Sequence, residues 1–168
     1  MGETDRTNTE GNCVRWVDAR DGQIPPNALA QGVDQSGRPL FIARGAYKGG
    51  VHPGMAAPHI PDGGFRLSWG GRAHSLNQYQ VLCGDIGSTR WEAVRGSSVR
   101  LLMDRGVRLV HGGNEADGST PLFVAKASDN GAVVLGKTSP HFSAAMSYAD
   151  GSSGAERSVS NYMVLAYQ

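Results

Sequence analysis

The chain has 168 residues and a net charge of +1, from 16 basic and 15 acidic side chains. Hydrophobic residues make up 39%, enough for a core, and charged residues 18%, too few for a disordered chain. The basic residues are spread along the sequence and form no stripe of the kind nucleic-acid binding needs, so nucleic acid is not an expected partner.

In chain order, residues 1–15 read as a flexible polar tail. MGETDRTNTEGN lacks the apolar stretch of a signal peptide, and no run reaches the roughly 18 apolar residues of a membrane span. A soluble, cytoplasmic protein is expected, with unconventional release as a route out. Gly at 24 residues and Pro at 8 favour short strands and turns over long helices. Alternating apolar positions predict strands at 39–44, 50–52, 79–83, 98–102, 107–111, 121–126, 132–135 and 162–167. Val99 to Val110 is read as two short strands around MDRG, because Gly106 interrupts it. Cys13 and Cys83 imply neither a disulfide framework nor a metal site by number or spacing.

The sequence repeats itself. GVDQSGRPLFIAR (Gly32 to Arg44) lies over GNEADGSTPLFVAK (Gly113 to Lys126), with one extra residue before Pro-Leu-Phe. PGMAAPH (Pro53 to His59) lies over LGKTSPH (Leu135 to His141), and GGRAHSLNQYQVL (Gly70 to Leu82) over SGAERSVSNYMVL (Ser153 to Leu165). Trp16 with Gly22 pairs with Trp91 with Gly96. The predicted organisation is repeat one at 16–83, a joint at 84–90 and repeat two at 91–168. Two copies are too few for a stacked array. The expected fold class is therefore all-β, with two pseudo-symmetric, intertwined β repeats sharing a core.

Gly131 to Thr138, GAVVLGKT, fits the phosphate-loop pattern. The intervening Ala-Val-Val-Leu favours a strand over a flexible anion nest, and the matching block of repeat one lacks the motif. It reads as a strand ending in a Gly turn that presents Lys137. No Ser-His-Asp, paired-carboxylate or Cys-His set stands out by spacing, so no enzyme, cofactor or metal is expected.

The blocks WVDARDGQIPPNALAQGVDQSGRPLFIARG, HPGMAAPHIP, GGRAH and YQVL resemble the DM-nine repeat family over nearly all of the chain after residue 15. The resemblance implies a homodimeric, calcium-independent lectin for mannose or mannose-rich glycans, with two sites per chain and relatives tied to innate defence. It also implies that the acid of the Gly-x-Asp turn and the Lys of Pro-Gly-Lys grip the sugar, and its pattern adds the Glu of Gly-Lys-Glu as a second acid. In repeat one these positions hold Asp34, Met55 and Ala73. In repeat two they hold Glu115, Lys137 and Glu156, with Asp117 competing for the turn role. The expected carbohydrate-binding residues are Asp34, Glu115, Lys137 and Glu156, with the better site in repeat two, and Met55→Lys is expected to strengthen repeat one.

These residue types suit a sugar. A carboxylate accepts from adjacent hydroxyls and an ammonium donates to a shared pair of oxygens, in charge-assisted hydrogen bonds. Each residue also has a structural reading. Asp34 in its turn is suited to bond its own backbone, Glu115 to face solvent, Lys137 to lie on the surface, and Glu156 to hold a turn or pair with Arg157. His59 and His141 recur after Pro and suggest a turn role. Trp16, Trp69 and Trp91 are expected in the core. The alternative function is a non-catalytic protein-interaction or structural module that has lost sugar binding.

Overall fold

A computed structural model describes residues 13–143 and 145–168. The first twelve residues of the predicted tail lie outside the described residues. Repeat one supplies β1 (Val14–Arg20), β2 (Gly32–Val33), β3 (Pro39–Tyr47), β4 (Gly50–Ala56), β5 (Phe65–Trp69), β6 (Arg72–Leu76) and β7 (Gln78–Gly84). Repeat two supplies β8 (Thr89–Arg95), β9 (His111–Asn114), β10 (Pro121–Asp129), β11 (Ala132–Thr138), β12 (Met146–Ala149), β13 (Glu156–Val159) and β14 (Asn161–Tyr167). Val14 and Arg15, read as the end of the tail, already lie in β1, where they pair with Gly84 and Cys83 of β7.

The fourteen strands form one antiparallel network, and the same pairings occur twice within it. β1 pairs β7 as β8 pairs β14, and β3 pairs β4 as β10 pairs β11. The repeats interlock because a short strand of each lies across the other. β2 joins its own β3 to β11 of repeat two through Val33 and Val133, while β9 joins its own β10 to β4 of repeat one through Asn114 and Val51. The β5–β6 and β12–β13 turns trade backbone hydrogen bonds: Ala73 N donates to Gly154 O at 2.9 Å, and Glu156 N to Gly71 O at 3.0 Å. The pseudo-two-fold axis passes between these two bonds.

Both repeats fill one main core. Trp16, Ile42, Met55 and Leu82 pack with Phe123, Leu135, Met146 and Leu165. A smaller cluster of Phe65, Leu67, Tyr79 and Val81 lies within repeat one. Gly54 of β4 and Gly136 of β11 hold equivalent places, and a Cβ at either would fall on the carbonyl of Arg66 or Ser147 in the next strand. Only glycine permits so close an approach of two backbones.

Three expectations fail. Residues 98–102 are not a strand: Arg100–Asp104 form a short α-helix, α1, closed by the Arg105 N–H on the carbonyls of Leu101 and Leu102. The 107–111 strand reduces to an isolated bridge between Leu109 and Ala166, with β9 starting only at His111. Val99 is fully buried while Leu101 is 51% exposed, so the apolar alternation served an anchored turn of helix and not a pleat. Trp69 is not core either. It ends β5 and is 36% exposed. Trp16 is buried, Trp91 is half-buried, and each is capped by a cation at equivalent positions, Arg44 at 4.4 Å and Lys126 at 4.3 Å from the ring centroid.

Candidate functional site

Strand register fixes the equivalences between the repeats. Met55 faces Arg66 as Lys137 faces Ser147, and Ser68 faces Ala73 as Ala149 faces Glu156. Trp69 therefore corresponds to Asp150, Tyr47 to Asp129, and His52 to Val134. Each candidate site takes its turn acid, its floor residue and its β6 or β13 residue from one repeat. Its walls come from the hairpin ends of the other.

Lys137 is the floor of the repeat-two site. Lys137 and the Gly before it lie inside β11, not at a turn, and the side chain is only 3% exposed. Strand alternation turns it inward, toward repeat one. Its Nζ donates to the Ser68 carbonyl at 2.6 Å and lies 2.9 Å from His52 Nδ1. Desolvation lowers its pKa, and the carboxylates of Glu156 and Glu115 push it back up. Burial and the Lys137 charge pull the His52 pKa down to about 4. His52 is therefore neutral near pH 7, with Nδ1 accepting from the ammonium and the proton on Nε2. That Nε2 is buried without a hydrogen bond of good geometry among the described residues, and a backbone contact with Tyr47 weakly favours the protonated ring.

Glu156 Oε1 accepts from Gly71 N at 3.1 Å, across the pseudo-axis. The glutamate thus holds the turn of the other repeat, and its second oxygen is left for another donor. Glu115 begins the β9–β10 turn, where its N–H donates to Thr120 O and its carbonyl accepts from Gly118 N. Its carboxylate takes no part in that turn. Asp117 does, with Oδ1 accepting from Ser119 N and Thr120 N at 2.9 Å and Oδ2 from the Thr120 hydroxyl at 2.6 Å. The Thr120 hydroxyl and these amides pull the Asp117 pKa down to about 2. In repeat one the turn acid itself holds the turn. Asp34 accepts from Ser36 N, Arg38 N and Arg38 Nε, each at 2.9 Å, and His59 Nε2 lies 3.0 Å away. Partial desolvation pushes this carboxyl up, but the Arg38 and Ser36 bonds outweigh it and hold it below its ordinary value.

The structure therefore brings Lys137, Glu156 and Glu115 into one electrostatic neighbourhood and places Asp34 in the other half. It adds residues that the sequence did not reveal. His52 and Ser68 hold the ammonium. Beside Ser68 stands an aromatic wall in which Tyr47 stacks on His74 at 4.4 Å and meets Trp69 edge-on at 5.7 Å. Tyr47 Oη and His74 Nδ1 are 3.0 Å apart, and His74 Nε2 is 2.9 Å from the Trp69 carbonyl. The repeat-one half is different. It is an open cleft of about 430 Å³ floored by Met55, with Asp129 and Asp150 where the other half has Tyr47 and Trp69. Among the described residues, no group of three or more His, Cys, Asp or Glu is placed to hold a metal. No helix among them is long and apolar enough to cross a membrane.

The family model for the DM9 repeat matches residues 7–61 and 60–156. Its two segments meet within the link between β4 and β5. No curated protein matches the chain. Among solved structures it is similar to the crystal structure of the nematode sperm cell motility protein MFP2B, with a TM-score of 0.63 and 15% identity. The match covers 99% of this chain and 45% of that one, so this chain spans less than half of its length. At that identity the likeness is one of fold.

Proposed function

The chain belongs to the DM9 repeat family, and on that premise we propose that it is a non-enzymatic, calcium-independent carbohydrate-binding protein for mannose-type sugars. The observation that carries this reading is the state of Lys137. Two of its three protons are held by His52 and Ser68 among the described residues, and the charges of Glu156 and Glu115 bear on it. The held ammonium presents its remaining proton in a fixed direction, and a free Glu156 oxygen and the Glu115 carboxylate accept from neighbouring hydroxyls. Trp69 supplies an exposed ring beside them. A site fixed before the ligand arrives loses little side-chain entropy on binding. A single weak site gains from a second one on the same chain or on a homodimer partner.

Calorimetric titration with mannose in the presence of a chelator tests this. Binding that survives the chelator and is lost in Lys137→Ala is expected. An absence of any mannose-type signal, or undiminished binding by that variant, overturns it.

A second reading, a protein-interaction or structural module, draws on the near-complete burial of Lys137, which also suits a strut between the repeats. The motility protein sharing the fold is consistent with it. Partner capture from lysate that free mannose leaves unchanged, together with no sugar binding, favours this second reading.

A further inference from the structure

The repeat-one cleft has lost the Lys and the Glu of its counterpart, since Met55 and Ala73 stand in their places. It has gained a cation at a different position. Arg66, where repeat two has Ser147, is the β5 residue opposite Met55 and lines the same cleft. Its guanidinium lies against Gly151, where a Cβ would fall directly on it. Among the described residues Arg66 forms no ion pair, although burial presses on its charge and Asp150 partly offsets this.

Three of the four acids that line the cleft are already engaged, and the fourth, Asp62, is exposed. Asp34 is held by Arg38, His59 and two backbone amides. Asp150 accepts from Ser152 and Ser153 and lies 3.7 Å from Arg157. Asp129 accepts from the Tyr148 hydroxyl at 2.6 Å and lies 3.5 Å from Arg157. Arg66 is thus a half-buried planar fork without a carboxylate, in a cleft whose own carboxylates are largely neutralised. A guanidinium matches a carboxylate through two parallel hydrogen bonds, which neither a diol nor an ammonium reproduces.

The geometry points to the repeat-one cleft as a second, distinct site that takes a saccharide bearing a carboxylate, a uronic acid, with Arg66 clasping the carboxylate. This inference rests on the carbohydrate-binding reading above but uses none of the residues around Lys137. The duplication would then have produced two specificities, a neutral sugar at one half and an acidic sugar at the other.

The test is calorimetric titration of the full chain with glucuronate, glucose and mannose. Glucuronate is expected to bind at least about tenfold more tightly than glucose, in keeping with a charged hydrogen-bonded pair. Arg66→Met is expected to abolish that preference. Gly151→Ala keeps the charge but displaces the guanidinium, so it should reduce the preference and decides the matter if Arg66→Met does not fold. Lys137→Ala should leave glucuronate binding unchanged. Equal affinity for glucuronate and glucose, or a preference that survives in the folded variants, overturns the inference. Loss of mannose binding alone counts against the Lys137 site and leaves this one standing.

Discussion

Lys137 Nζ lies 2.9 Å from His52 Nδ1, and this contact joins the floor of one repeat to the β4 strand of the other. Both side chains are almost fully buried, His52 at 1% exposure and Lys137 at 3%. A buried ammonium needs acceptors, and the only imidazole state that accepts at Nδ1 is the neutral one. The charge state of His52 is therefore tied to the position of Lys137.

That tie makes stability depend on pH. The folded pKa of His52, about 4, lies below its unfolded value of 6.5, so between these values the unfolded chain binds more protons. Stability therefore rises with pH across this window and is lost as pH falls through it, by up to about 3 kcal/mol from this group. Urea unfolding from pH 4 to 7 should show this slope, and His52→Gln should flatten it. An equal slope in the variant would show that other groups carry the acid sensitivity.

Lys137→Ala and Lys137→Met should separate binding from stability. Both remove the ammonium and should abolish mannose binding. The alanine also leaves a cavity beside His52 and the Ser68 carbonyl, so it should be less stable than the methionine variant by about 2 kcal/mol in urea unfolding. Equal stability of the two would mean that the side-chain stem packs against little.

The role of the turn acid is split in repeat two. Asp117→Ala should lower Tm by removing the acceptor for Ser119 N, Thr120 N and the Thr120 hydroxyl, with little direct effect on sugar. Glu115→Gln should do the reverse, sparing Tm and weakening mannose. A Tm loss in Glu115→Gln, with Asp117→Ala silent, would exchange the two assignments.

Met55→Lys alone should not rebuild a Lys137-type site, contrary to what a comparison of the two copies implies. Val134 occupies the His52 position, so the new ammonium would be buried at the floor with one acceptor missing. A buried charge left short of partners costs about 3 kcal/mol or more. Lower stability without mannose binding is expected, with partial recovery of stability in Met55→Lys/Val134→His. Mannose binding by the single variant would refute this.

Trp69 should report the ligand. It stands 36% exposed next to Ser68, which holds Lys137, whereas Trp16 is buried. Mannose should shift tryptophan emission in the parent chain and leave it unshifted in Trp69→Phe. A shift that persists in the variant would assign the signal to half-buried Trp91.

The sequence by itself determined the duplication and the all-β class, because alignment of the copies compares like positions. PLFIAR against PLFVAK placed β3 and β10, and Met55 against Lys137 exposed the chemical difference between the halves. Val99 to Val110 misled because a short helix anchored at Val99 shows the same apolar spacing as two strands. Trp69 misled because residue type does not say which end of a strand faces water. Only the tertiary structure decided which residues share a site. A strand from each repeat crosses into the other, so the partners of Lys137 are His52 and Ser68, far away in sequence. Arg66 entered the other half without an ion pair among the described residues for the same reason, since Gly151 makes room for it from the opposite repeat. Long-range register, set by shared burial of both repeats, carries that information, and no local pattern in either copy does.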